Sequence, residues 1–262
     1  MSLAEMFSLD GKVAVVTGGA GHLGYYISLA LAEAGAEVYL GSTNYEKCRA
    51  AAARISEKTG RQAKGVFIDI RSTEVIRKSF ADIALETGQI DILVNNAFYC
   101  SGQGADIEER DWQIGLDGTV GSVYRATQGV VPFMEKTKTG SIINIASMYG
   151  MVSPDHSVYN KPEYANPPNY GAGKAAVIQF SRYAACHLAK KGIRVNSVSP
   201  GPFPTAQVQT DKEFITALEK KVPLGRIGQP PEIKGIIVFL ASEAASYVTG
   251  ANFCIDGGWT AW

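Results

Sequence analysis

The chain has 262 residues, 46% hydrophobic and 19% charged, a balance that supports a packed core and excludes a chain disordered throughout. Its 25 Lys and Arg offset 25 Asp and Glu, so no basic excess points to nucleic acid or to an anionic membrane surface as a partner. Its apolar runs fall far short of the roughly 20 residues of a membrane span, and no signal peptide is read, so a cytoplasmic protein is expected. Cys48, Cys100, Cys186 and Cys254 form no Cys-x-x-Cys pair, and His22, His156 and His187 lie apart, so neither a disulfide framework nor a metal site is expected.

Short β-branched runs alternate with longer amphipathic stretches. Residues 12–17 read as a strand ending in a glycine-rich turn, and 23–34 as a helix stopped by Gly35. A strand at 37–40 precedes an Ala-rich helix at 45–58, and a strand at 63–69 precedes a helix at 73–86. A fourth strand is expected at 90–95, helical periodicity runs from 108 to 134, and a fifth strand follows at 141–146. Then come a helix at 170–190, a strand at 193–198, helices at 211–221 and 231–241, and a last strand at 251–255. The strands are apolar throughout, as in a sheet covered on both faces, and the regular alternation implies parallel strands joined by right-handed crossovers. The expected fold is α/β: a doubly wound, seven-stranded parallel sheet with helices on both faces. No linker divides it, so residues 1–262 are read as one domain. The stretch 148–169 is irregular, with Pro154, Pro162, Pro167 and Pro168, but Tyr149, Tyr159 and Tyr164 give it apolar surface, so it reads as a structured loop.

Two motifs carry chemistry. The first strand runs into Thr17-Gly18-Gly19-Ala20-Gly21-His22-Leu23-Gly24. A glycine-rich turn between a strand and a helix lets backbone approach a diphosphate at the positive end of the helix. Tyr170 and Lys174 stand at i and i+4 on one helix face. A phenol titrates near ~10, and a neighbouring cation draws it down towards acid–base use. Asn169, after Pro167-Pro168, is expected to cap that helix. Ser147 closes the fifth strand, at the sheet edge where α/β sites lie.

In this order the motifs resemble those of the short-chain dehydrogenase/reductase superfamily, of the compact type, over residues 12–258. The resemblance implies an NAD(P)-binding Rossmann fold. It implies that Ser147 bonds the substrate oxygen, that Tyr170 gives or takes the proton, and that Lys174 bonds ribose hydroxyls and lowers the phenol's pKa. Thr119 stands where the family often has a catalytic Asn. Implied cofactor contacts are Gly18, Gly21, His22, Leu23 and Gly24, then Ser42 and Thr43, Asp69 and Ile70, Asn96 and Ala97, Tyr170 and Lys174, and Pro200, Gly201, Phe203 and Thr205; Asn95 is implied to brace the sheet. His22 replaces a family glycine, and its imidazole either donates to the diphosphate or packs beside it. Phe98 replaces the glycine that ends the Asn-Asn-Ala-Gly motif.

The spacing from Ser147 to Tyr170 is longer than usual, which resembles gluconate 5-dehydrogenase-like and sugar-modifying members. Phe98, Tyr149 and Tyr159 are therefore expected to face substrate, with Asp155, Asn160, Lys161, Glu163 and Asn166 offering polar groups. No carboxylate stands at Ser42-Thr43-Asn44 to repel a 2′-phosphate, so NADP(H) is favoured, with NAD(H) as the alternative. The expected activity is interconversion of a secondary alcohol and a ketone on a small molecule: a sugar, sugar acid or polyol. The alternatives are reduction of a 3-oxoacyl thioester or other small carbonyl, and a non-catalytic dinucleotide-binding regulator. A homotetramer or homodimer is expected, built on the long helices and covering the C-terminal Trp259 and Trp262.

Overall fold

Seven short apolar segments pair side by side in one sheet: β1 (Val13–Thr17), β2 (Glu37–Ser42), β3 (Ala63–Phe67), β4 (Ile92–Asn95), β5 (Gly140–Ile145), β6 (Ile193–Pro200) and β7 (Asn252–Ile255). Their order is β3-β2-β1-β4-β5-β6-β7 and every pairing is parallel. The structure is a computed structural model that describes residues 1–159 and 165–262, so Asn160, Lys161, Pro162, Glu163 and Tyr164 lie outside the described residues.

Successive side chains enter opposite layers, as strand geometry requires. Ala14, Val16, Val38, Leu40, Ile92 and Val94 point into one layer. Val13, Val15, Tyr39 and Leu93 point into the other. Helices α2 (His22–Glu33), α3 (Tyr45–Thr59) and α9 (Lys234–Ala241) cover the first face, and α4 (Thr73–Thr87), α6 (Ser122–Thr137) and α7 (Pro168–Leu188) the second. This is the doubly wound α/β sheet read from the alternation of apolar runs. The chain winds outward from β1 to β3, then α4 carries it back to β4 beside β1. That reversal opens a crevice at the strands' C-terminal ends.

Three local features differ from expectation. A one-turn helix, α1 (Leu3–Phe7), is closed by a capping box between Ser2 and Glu5; it is too short to show periodicity. The helix expected at 108–134 is broken into α5 (Glu109–Leu116), a π-helical turn (Asp117–Gly121) and α6. The turn is pinned at Asp117, whose carboxylate accepts from Arg125 at 2.6 Å and from the Tyr99 hydroxyl. Lastly, α7 begins at Pro168 with Pro167 as its N-cap, so Asn169 is not the cap. Proline suits a helix's first position because its missing N–H has no partner there anyway. The early start turns Asn169 inwards, where it is fully buried.

Buried amides fasten α7 to the sheet. Asn95 donates to Asn144 at 2.8 Å, and Asn144 donates to the Ser181 hydroxyl at 2.9 Å, joining β4, β5 and α7. Among its described residues, the long loop packs against α8 (Lys212–Lys221). Met148, Tyr149 and Val158 form a separate apolar cluster with Phe214 and Leu218 of α8 and with Trp259. Asp155 pairs with Lys221 at 2.7 Å and ties the loop to the end of α8. Trp259 is thus buried within the chain, whereas Trp262 is 79% exposed. Among the described residues no helix is long and apolar enough to cross a membrane.

Candidate active site

A cleft of about 900 Å³ opens at the C-terminal ends of β1, β4 and β5. Gly18, Gly21, His22 and Leu23 line one end with Ser42, Thr43, Asp69 and Ile70; Asn96, Ala97, Phe98, Ser147, Tyr170 and Lys174 line the middle; Pro200, Gly201, Phe203 and Thr205 close it. Gly24 lies behind the turn, where a Cβ would overlap the Gly18 carbonyl, and Gly18 itself has a φ of +64°. The N-terminus of α2 carries no side-chain cap. Close-packed glycines and uncapped N–H groups suit the diphosphate of a dinucleotide.

Other contacts shape this half. Asn96 donates its Nδ2 to the carbonyls of Thr17 and Gly18 at 3.1 and 3.2 Å. His22 approaches the Phe203 carbonyl with Nε2 at 3.1 Å, so that nitrogen carries the proton and donates across the cleft. Arg71, which the sequence reading did not single out, also lines the cleft and holds Asp69 through two nitrogens, the shorter contact being 2.7 Å. This pairing keeps the Asp69 carboxyl below its usual range. Arg125 fixes Ile70 by donating Nε to its carbonyl at 3.0 Å.

Ser147, Tyr170 and Lys174 meet at the centre. The Ser147 Oγ is buried and accepts from the Tyr149 N–H at 3.1 Å. Lys174 is only 4% exposed. Its Nζ donates to the Ile145 carbonyl at 2.7 Å and lies 4.8 Å from the Phe98 ring centre and 5.7 Å from that of Tyr170. Burial pushes its pKa down to about 8. The Tyr170 phenol is pushed up by burial and drawn part of the way back by a hydrogen bond with Ser147. A phenol lowered by Lys174 was expected; the ammonium instead bonds the Ile145 carbonyl, and desolvation governs the phenol.

A family model described as Enoyl-(Acyl carrier protein) reductase matches residues 18–260. The chain belongs to the short-chain dehydrogenase/reductase family. It is 36% identical to the 2-dehydro-3-deoxy-D-gluconate 5-dehydrogenase of Bacillus subtilis over 261 residues, 98% of each chain. It is 35% identical to the 3-oxoacyl-(acyl-carrier-protein) reductase FabG of Chlamydia trachomatis over 257 residues, 95% of this chain and 98% of that one. A gluconate 5-dehydrogenase from Burkholderia cenocepacia, solved with NADP and tartrate, superposes with a TM-score of 0.89 at 30% identity over the full length of both chains. As a short-chain dehydrogenase/reductase, the protein is an NAD(P)-dependent oxidoreductase acting on an alcohol–carbonyl pair.

Besides Gly24, three residues named as catalytic or substrate-facing in the sequence do not line the cleft: Thr119, Tyr149 and Tyr159. Thr119 sits in the π-helical turn, 1% exposed, with its hydroxyl donating to the Gly115 carbonyl at 2.7 Å and its own carbonyl accepting from Ser122 at 2.9 Å. Both its polar groups thus serve the helix. Tyr149 and Tyr159 bond one another through their hydroxyls at 2.6 Å, and the Tyr159 ring packs 5.6 Å from that of Phe214. They hold the loop against α8. Among the loop's described residues, Asn166 does line the cleft. Tyr99 lines it too, although nothing in its local sequence marks it.

The buried ammonium has a consequence for stability. Folded, Lys174 titrates near about 8 against an ordinary 10.5. Below about pH 8 both states carry the proton, and the full cost of burying the charge is present. Between these values the unfolded chain keeps a proton that the folded chain has released, so stability rises with pH. We expect the wild type to gain about 2 kcal/mol on a Lys174→Met variant between about pH 7 and 9.5. Urea unfolding of both proteins without cofactor measures it, and parallel pH profiles would refute it.

Proposed function

We propose that the chain interconverts a secondary alcohol and a ketone on a sugar, sugar acid or polyol. The observation that carries this reading is the convergence of Ser147, Tyr170 and Lys174 on the cleft that also holds the glycine turn. When bound, a nicotinamide dinucleotide supplies or takes the hydride. The Ser147 Oγ accepts from the Tyr149 N–H and keeps its own proton to donate to the substrate oxygen. Tyr170 gives its phenolic proton to that oxygen in reduction and takes it back in oxidation. Lys174 holds ribose hydroxyls and keeps positive charge beside the phenol. Thr119, in the π-helical turn, enters as a packing residue between α5 and α7. The exposed Phe98 ring offers a face for a sugar's C–H groups, and Asn166 offers an amide for its hydroxyls.

The similarity to two sugar-acid dehydrogenases supports the substrate class. A comparable identity to a 3-oxoacyl reductase keeps reduction of an acyl thioester as the second reading. Four unpaired thiols fit a reducing compartment, the cytoplasm. In a panel of sugars, sugar acids and acyl thioesters, we expect turnover on a polyhydroxylated compound. Tyr170→Phe should lower it by roughly 10²-fold or more, since it removes the proton donor and little volume. Near-normal turnover in that variant would remove Tyr170 from the chemistry, and turnover confined to thioesters would establish the second reading.

For the cofactor, NADP(H) is the preferred dinucleotide in this reading. Ser42 and Thr43 line the cleft without a carboxylate, and Arg71 brings a cation to the same end. NADPH should bind more tightly than NADH in a fluorescence titration. Ser42→Asp should narrow the difference by repelling the phosphate, and Arg71→Ala, which also releases Asp69, should weaken NADPH more than NADH. Tighter NADH binding by the wild type would reverse the assignment.

The assembly in this reading is a homotetramer built on paired helices. Tyr124 of α6 and Tyr183 of α7 are 53% and 66% exposed, and Tyr124 packs edge-on against Phe180. With His187 stacked on Tyr183 they form an aromatic stripe suited to a second copy of the chain. Light scattering at micromolar concentration should report a tetramer, and Tyr124→Glu with Tyr183→Glu should split it. A monomeric wild type would reject this assembly.

A further inference from the structure

Tyr170 lies in the first turn of α7, and that turn has no side-chain cap, because Pro167 stands at the N-cap position. A helix's first turn is where backbone order is weakest unless something holds it. A residue that gives or takes a proton there needs a fixed position. The side chain of Asn169 provides a tether. It is fully buried, and all its contacts reach other elements. Its Nδ2 donates to the Asp111 carbonyl at 2.7 Å and to the Ser101 carbonyl at 3.0 Å, and its Oδ1 accepts from the Cys100 thiol at 3.1 Å. Gly115 of α5 lies so close that a Cβ there would overlap the carboxamide.

We propose that Asn169 is a positioning residue whose carboxamide sets the placement of Tyr170 against the segment that follows β4. This rests on the reading of Tyr170 as the proton donor. The tethered segment carries Phe98, whose ring packs 5.4 Å from that of Tyr170 and 4.8 Å from the Lys174 ammonium. One amide therefore sets α7, α5 and the 98–101 segment relative to each other at the reacting phenol. Both Asn169 donors are engaged, and neither carbonyl would have its present partner if the amide were lost. A cooperative buried network of this kind tolerates partial removal poorly.

The test compares Asn169→Ala, Asn169→Asp and Gly115→Ala on the enzyme with its cofactor. A displaced phenol costs turnover steeply, by roughly 10²-fold for an ångström. Asn169→Ala should lower kcat by about 10- to 100-fold on that scale, with cofactor Kd little changed, a larger solvent deuterium isotope effect and a melting temperature lowered by the two unpartnered carbonyls. Asn169→Asp keeps the shape and, while protonated, one donor, so it should lose less at low pH and progressively more as pH rises. Gly115→Ala presses on the carboxamide from the other side without removing it. Alanine favours a helix over glycine, which offsets part of the cost of the overlap, and the variant should reproduce the loss in kcat. A wild-type kcat in either Asn169→Ala or Gly115→Ala overturns the proposal. So does a loss matched by an equal fall in cofactor affinity with no change in the solvent isotope effect, which marks a structural role alone. Tyr170→Phe serves as the control. If it stays active, the functional reading fails. If it is inactive while these variants match the wild type, the tether alone fails.

Discussion

The ammonium of Lys174 is the constraint around which the site is built. A charge 4% exposed is tolerated only where its protons have partners. Here the Ile145 carbonyl takes one proton at 2.7 Å, and the faces of Phe98 and Tyr170 lie within reach of a cation–π attraction. Each partner dictates a piece of architecture. β5 must end at Ile145, α7 must cross it at the level of Lys174, and the segment after β4 must fold over both. The Asn95–Asn144–Ser181 chain of amides and hydroxyl fixes the first two of these relations from within the core.

What was legible in the sequence was what is local. The strands announce themselves because both sheet faces are buried, so each reads as a continuous apolar run. The glycine turn is legible because Gly18 and Gly24 are needed where backbone packs on backbone. Many of the cleft residues follow from strand ends, and Tyr170 and Lys174 from their i, i+4 spacing on one helix face. What was not legible depends on partners far along the chain. Asn169 looks like a helix cap beside two prolines, but its amide bonds residues 58 and 68 positions away. His22 reaches a carbonyl 181 positions away. Arg71 was invisible as a cleft residue because its placement follows from the turn after β3, outside any periodic element. The π-helical turn within 108–134 keeps the helical spacing of apolar residues nearly intact, so periodicity alone reads straight through it.

The long loop shows how residue type can mislead about direction. Tyrosines between Ser147 and Tyr170 suggest a binding face, because a phenol has both an apolar ring and a polar tip. The same duality lets a tyrosine serve as a buried strut when it finds a partner. Tyr149 and Tyr159 satisfy each other's hydroxyls and give their rings to the cluster under α8. Among the described residues, the loop's packing residues thus support α8, and the cleft is met by Asn166, next to the prolines that start α7. Support and contact are divided between two ends of one insertion.

The two departures from the family's glycines follow one rule. A side chain added where a family has glycine narrows a cleft unless it turns along the wall. His22 turns to the Phe203 carbonyl, and Phe98 turns onto Lys174 and Tyr170, leaving a cleft of about 900 Å³ between them. Each ring therefore links two segments that line the same cleft. The imidazole joins the glycine turn to the stretch after β6, and the phenyl ring joins the stretch after β4 to the catalytic helix. Glycines leave such segments independent; here they are coupled through rings that lie along the cleft wall.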